Sequence, residues 1–185
     1  VVIREGTFSC ASRGMVVRAE GTSSHAAHPE DGISPALPLA RLMTELMELP
    51  QQVLRETGPE LCMATPICMR CGEPSFGTTA HHGELMFTLR AERNSTMQLM
   101  AQRAEEMADR VVRREGGIPD VTVEWLDCFE ATENDPELVA ALAEEVTLTC
   151  AAPPMRKPEP FRWSEDVGAL FAASSFPHLG GKSPR

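Results

Sequence analysis

No stretch of this 185-residue chain is basic, and its formal net charge is −10. Nucleic acid and anionic membranes both select for positive surface, so neither is expected as a partner. No apolar run is long enough to span a bilayer, and the first residues do not read as a signal peptide. A glycine loop that would cradle phosphate is missing. The Ser, His and Asp residues form no nucleophile elbow, which removes a serine-hydrolase reading. Six cysteines (Cys10, Cys62, Cys68, Cys71, Cys128, Cys150) lack the spacing of a disulfide framework. They read as reduced, mostly buried thiols of a cytoplasmic protein.

A zinc site is a thin reading of the same residues. Cys62, Cys68 and Cys71 have His81 and His82 nearby as further donors. Cys68 and Cys71 sit in a segment that reads as a strand, where an odd separation sends side chains to opposite faces. By default these thiols are small hydrophobes, and no metal ligand is assigned.

What is present is the composition of a globular protein, with 42% hydrophobic and 24% charged residues. The length allows one domain, or a small domain plus a piece of another. The first methionine is Met15, and the chain ends at Lys182-Ser183-Pro184-Arg185 with no closing element. Both ends read as cut.

The pattern along the chain predicts a strand over Met15 to Glu20. Ser34 as N-cap, with Pro35 at the first helical position, predicts a helix. Its apolar face is Leu39, Leu42, Met43, Leu46 and Met47, and Pro50 is expected to stop it near Leu49. Strands follow at Met63 to Cys71 and Glu84 to Arg90, joined by a long connection over Gly72 to Gly83. Ser95-Thr96-Met97-Gln98 reads as a capping box. Met97, Met100, Ala104, Met107 and Val111 then repeat at helical spacing, and this methionine stripe reads as core. Gly116-Gly117 ends that helix before a fourth strand through Val121, Val123 and Trp125.

The order β-α-β-β-α-β over residues 14–128 predicts an α/β (α+β) fold. It is a ferredoxin-like unit with a four-stranded antiparallel sheet and both helices on one face. Residues 1–13 read as a leading segment, and residues 129–185 have a different character. Asn134-Asp135-Pro136 starts a helix carrying the apolar residues Leu138, Val139, Leu142 and Val146. Ala151 to Pro160 holds four prolines and must be extended or looped. Ser164 is expected to cap a short helix, Glu165 to Ala173, with a strand near Phe176 to Leu179. Such a tail cannot close a core alone and needs the first unit or a partner over it.

Gly21-Thr-Ser-Ser-His25-Ala-Ala-His-Pro29, followed by Gly32 and a helix, resembles the signature of the zinc-dependent amidohydrolases and exopeptidases. That family includes aminoacylase, hippurate hydrolase and the auxin-conjugate hydrolases. Gly83 to Arg90, Trp163-Ser-Glu-Asp-Val-Gly168 and Phe176 to Gly181 agree in order, so the resemblance covers nearly the whole chain. It implies a lid (dimerisation) domain over 14–128, with 1–13 and 129–185 as pieces of the catalytic domain.

The resemblance further implies hydrolysis of N-acyl amino acids or small peptide-like amides by a homodimer whose zinc polarises the amide carbonyl. His25 matches the lid histidine that reaches into the neighbouring subunit's site and donates to the developing oxyanion. Read by itself, His25 is an exposed loop histidine beside Ser24 and Ala26. Arg90 matches an arginine that grips the substrate carboxylate, a task its planar fork suits. It also reads as a strand-end arginine paired on the surface. Gly77, thirteen residues before Arg90, stands where many relatives place a substrate-contacting asparagine, so any contact there comes from backbone. Ser164, Glu165 and Asp166 match a triplet that supports the metal pocket without ligating it. They equally suit a helix N-terminus.

The half that supplies most zinc ligands and the glutamate base in the family has no counterpart here. No metal is therefore expected on this chain alone, which is expected to be inactive. The alternative is a non-catalytic dimerisation or ligand-binding module derived from the lid.

Overall fold

The computed structural model describes residues 2–150 and 153–166. After two short strands, β1 (Val2–Ile3) and β2 (Gly6–Ser9), comes the long strand β3 (Ala11–Glu20). Helix α1 (Ala36–Thr57) leads to β4 (Cys62–Cys71) and β5 (His82–Ala91). Helix α2 (Asn94–Ala108) and β6 (Asp120–Phe129) complete the β-α-β-β-α-β unit. The sheet order is β4-β5-β3-β6, antiparallel throughout, which is the ferredoxin-like arrangement.

Strict alternation explains β5. Gly83, Leu85, Phe87, Leu89 and Ala91 are buried, while the residues between them are half-buried on the other face. Against the buried face lie Leu39, Leu42, Leu46, Leu49 and Val53 of α1, with Met97, Met100 and Ala104 of α2. The methionine stripe is core. The opposite sheet face carries an ion ladder, in which Arg18 reaches Glu84 at 3.0 Å and Glu124 at 2.7 Å.

Local sequence signals fail in three places. Pro50 lies inside α1, which continues to Thr57 and ends at Gly58 with φ +85°. Proline removes one helical hydrogen bond and crowds the preceding turn, a penalty of about 3 kcal/mol in an isolated helix. Burial of Leu49 and Val53 on either side of it outweighs that penalty.

The Ser95 capping box does not form, because α2 already begins at Asn94 and no side chain caps it. Glu60 instead lies at that end, accepting from Thr96 Oγ1 at 2.8 Å and from Arg93 Nη2 at 2.6 Å. Burial pushes the Glu60 carboxyl up, but bonds from Arg93, Thr96 and Thr57 outweigh it and hold its pKa below the usual value. Third, Ser34 is not the cap residue of α1, which begins at Ala36 with Pro35 in the cap position and no side-chain cap bond. The helical run of α2 continues as a π-helix over Asp109–Glu115 and ends at Gly116, as Gly116-Gly117 predicts.

After β6 come β7 (Thr132–Asn134), helix α3 (Pro136–Thr149) and β8 (Met155–Arg156). Strand β2 pairs with β7, and β1 pairs in parallel with β8, so the leading segment and the tail form two small two-stranded sheets. Asp135 caps α3 by accepting from the Glu137 and Leu138 amides, as the Asn-Asp-Pro start predicts. Val139, Ala143 and Val146 are its buried residues, whereas Leu138 and Leu142 are exposed. That apolar face is thus only half covered. The helix expected from Glu165 to Ala173 and the strand near Phe176 to Leu179 lie outside the described residues.

Candidate functional site

His25 sits in a loop whose neck is the bonded pair Thr22 and Ile33, with N–H···O distances of 2.9 and 2.8 Å. Two glycines make that neck. A Cβ on Gly21 would lie 2.0 Å from the Ile33 carbonyl oxygen, and one on Gly32 would lie 2.7 Å from Ser24 Oγ. Beyond the neck, the loop is stitched to the β4–β5 connection. The Ala26 amide donates to the Gly77 carbonyl at 3.0 Å, and the Thr79 amide donates to the Ser24 carbonyl at 2.9 Å. The Ser24 amide donates to Thr79 Oγ1 at 2.8 Å, and His25 and Thr78 form an antiparallel bridge.

The imidazole itself is exposed, and its Nδ1 accepts from the Ala27 amide at 3.1 Å. An accepting Nδ1 leaves the neutral ring's proton on Nε2, which points away as a donor. The strand-to-helix turn thus presents one oriented N–H. Gly77 contributes its carbonyl to this stitching, and its amide donates to Ser75 Oγ at 3.3 Å. Thr78 and Thr79 carry no motif, and only their tertiary pairing with Ser24 and His25 reveals their part.

Arg90 belongs to a second cluster. Its Nη1 donates to the Arg162 carbonyl at 2.8 Å and to Ser164 Oγ at 3.1 Å. The Ser164 hydroxyl in turn donates to the Cys10 carbonyl at 2.7 Å. Burial first, and then the Glu92 charge, push the Cys10 thiol up to about 11, so it stays protonated and inert. Glu165 and Asp166 follow as exposed residues. Nearby, the Phe161 and Trp163 rings stack at 4.0 Å and Phe8 meets Phe161 edge-on at 5.0 Å, tying the tail to β2. Two residues assigned different roles from sequence, Arg90 and Ser164, are therefore neighbours.

The two clusters lie at opposite ends of the sheet. Glu20 pairs with His82 at one end and Ser12 pairs with Arg90 at the other. Eight residues of strand separate the ends, roughly 27 Å at about 3.4 Å per residue.

Among the described residues, no three His, Cys, Asp or Glu side chains stand close enough together to hold a metal ion. Cys68 pairs with Met86 on the open sheet face and Cys71 with Gly83 on the core face, as alternation requires. Cys62 is turned to Met100 Sδ at 3.1 Å, and burial pushes its thiol up to about 12. The residues described here do not fit a zinc centre. Nor is any described helix long and apolar enough to cross a membrane.

No family model matches the chain. Solved structures do. A protein from methicillin-resistant Staphylococcus aureus described as a candidate aminohydrolase matches with TM-score 0.79 and 19% identity, over 93% of this chain and 43% of its own. The aminobenzoyl-glutamate utilization protein of Klebsiella pneumoniae matches with TM-score 0.69 and 17% identity, over 92% and 45%. Bacillus subtilis YxeP, a dinuclear metal-binding peptidase of the M20 family, gives 0.70 and 13%, over 92% and 40%. The chain spans less than half the length of each. Its fold is the α+β fold of one part of these amidohydrolases and peptidases, the class that the His25 turn and the Ser164-Glu165-Asp166 triplet resemble.

Proposed function

We propose that the chain is the lid, with an adjoining part of the catalytic domain, of a metal-dependent amidohydrolase. Its substrates are N-acyl amino acids or small peptide-like amides. The observation that carries this reading is the His25 loop, which glycines and cross-loop bonds hold with Nε2 as the free donor.

In this reading His25 donates to the amide carbonyl oxygen as it gains negative charge. The charge exists only in the transition state, so a donor held in place lowers the barrier by roughly 2.7–4 kcal/mol. Arg90 binds the substrate carboxylate, with Ser164 and the Arg162 carbonyl fixing its guanidinium. A separation of roughly 27 Å far exceeds an N-acyl amino acid, so one copy cannot put both residues on one substrate. Two copies paired as a homodimer can, with His25 of one serving the site of the other.

The divalent metal, zinc by the resemblance, would be held by residues outside those described, and Glu165 and Asp166 would stand beside it. The chain alone would be inactive. Six free thiols favour a reducing, cytoplasmic setting.

The test uses the full-length polypeptide that carries this chain, loaded with a divalent metal and offered a panel of N-acyl amino acids. Hydrolysis is expected, and His25→Ala should lower kcat about 100- to 1,000-fold with KM little changed. Equal effects on both constants would remove the oxyanion role. No hydrolysis of any amide would overturn the amidohydrolase reading.

A non-catalytic dimerisation or ligand-binding module is the second reading. It is favoured by the exposed middle of edge strand β4, where Ile67 is 60% exposed on a unit with its own core. A complete reading frame without a metal-binding half, giving a stable apo dimer, would decide for it.

A further inference from the structure

Every nitrogen of the Arg4 guanidinium is engaged. Nε donates to the Thr7 carbonyl at 2.5 Å, Nη1 to the Lys157 carbonyl at 3.3 Å and to the Pro158 carbonyl, and Nη2 to Glu92 Oε1 at 3.0 Å. Glu92 follows β5 directly. Its amide donates to the Leu61 carbonyl at 2.8 Å, and its Oε2 accepts from the Leu61 amide at 3.2 Å. One planar group therefore clasps the leading segment, the tail and the end of the β4–β5 pair. A lysine, with its donors on a single atom, could not span these partners. The Arg4 and Glu92 side chains are only 14% and 22% exposed, so salt screens this pair less than one on the surface.

The same stretch of tail carries the partners of Arg90. Arg90 and Glu92 stand two apart on an extended chain, so their side chains leave it on one side. Glu92, through Arg4, meets the tail at Lys157 and Pro158, and Arg90 meets it at Arg162 and Ser164. Both Arg90 bonds use Nη1, and among the described residues Nε and Nη2 make none. That remaining edge of the guanidinium can meet a carboxylate with two parallel N–H bonds. Resting on the reading of Arg90 above, we infer that Arg4 and Glu92 are positioning residues for carboxylate binding. They hold the tail in register with β5, and the Arg162 carbonyl and Ser164 hydroxyl then turn the free edge of Arg90 toward the substrate. Opening the clasp leaves the Arg90 charge in place but loosens the groups that orient it. The His25 loop, at the other end of the sheet, is untouched.

The experiment measures amine release by the full-length, metal-loaded enzyme from an N-acyl amino acid and from its methyl ester, which lacks the carboxylate charge. Arg90→Ala sets the reference, a rise in KM for the acid alone. Arg4→Gln should raise KM for the acid about tenfold, with kcat little changed and the ester unaffected. Glu92→Gln keeps an acceptor for the Leu61 amide and should give a smaller rise of the same kind. A preparation that has partly unfolded loses kcat on both substrates and leaves the acid-to-ester ratio of KM unchanged, so the ratio reads positioning and not folding. An unchanged ratio in both Arg4→Gln and Glu92→Gln, or a loss in kcat confined to the acid, would overturn the assignment. An unchanged ratio in Arg90→Ala would overturn it together with the carboxylate role of Arg90. Hydrolysis by the unaltered enzyme in the same assay separates these outcomes from failure of the amidohydrolase reading.

Discussion

Adding one methyl group at Gly21 should unlatch the His25 loop without touching the sheet core. The new Cβ would fall 2.0 Å from the Ile33 carbonyl oxygen and 3.0 Å from its carbon, so Ile33 must move away. Ile33 makes both bonds of the neck with Thr22, at 2.9 and 2.8 Å, and both would be lost or stretched. At about 1 kcal/mol net for each backbone bond, Gly21→Ala should destabilise the protein by about 2 kcal/mol. For a chain of this size that lowers the melting temperature by roughly 4–8 °C.

Gly77→Ala is the matched control. A Cβ there would meet nothing nearer than Ser75 Oγ at 4.0 Å, and stability should change by less than about 0.5 kcal/mol. Thermal unfolding followed by circular dichroism gives both numbers, and the His25 ring signals in NMR report whether the loop has moved. If Gly21→Ala melts with the unaltered protein and leaves those signals in place, the neck does not hold the histidine.

Two further outcomes are expected. Glu60 has a depressed pKa in the fold, so its contribution is fully present above its unfolded value and is lost as pH falls through the folded value. Acid titration of stability should therefore lose part of its slope below about pH 4.5 in Glu60→Gln, and the same slope in both proteins would contradict the assignment. Pairing of two copies should appear as a dimer in analytical ultracentrifugation, and a monomer at high micromolar concentration would refute the shared site.

Much of the fold is legible because burial imposes periods on the sequence. The alternation of β5 and the methionine stripe of α2 can be read from residue spacing alone, since a strand repeats every two residues and a helix every 3.6. Local signals misled where tertiary contact overrode them. Pro50 is a reliable stop only for a helix that nothing else holds, and Leu49 and Val53 hold this one. Ser95 offered a cap, but Arg93 and Thr96 bring a distant carboxylate, Glu60, to that helix end instead.

The candidate site divides along the same line. Sequence by itself determined the chemistry available, a histidine among small residues and glycines, an arginine at the end of a strand, and a serine before two acids. Those are local choices, and a short motif contains them. Only the tertiary structure decided which residues meet. Ser24 and Thr79 are neighbours because two loops leave the same end of antiparallel strands, and Arg90 meets Ser164 because the tail returns past Cys10. The antiparallel register that joins those pairs also sets His25 and Arg90 at opposite ends of the sheet. No spacing along the chain encodes that separation, because it arises from pairing between strands distant in sequence.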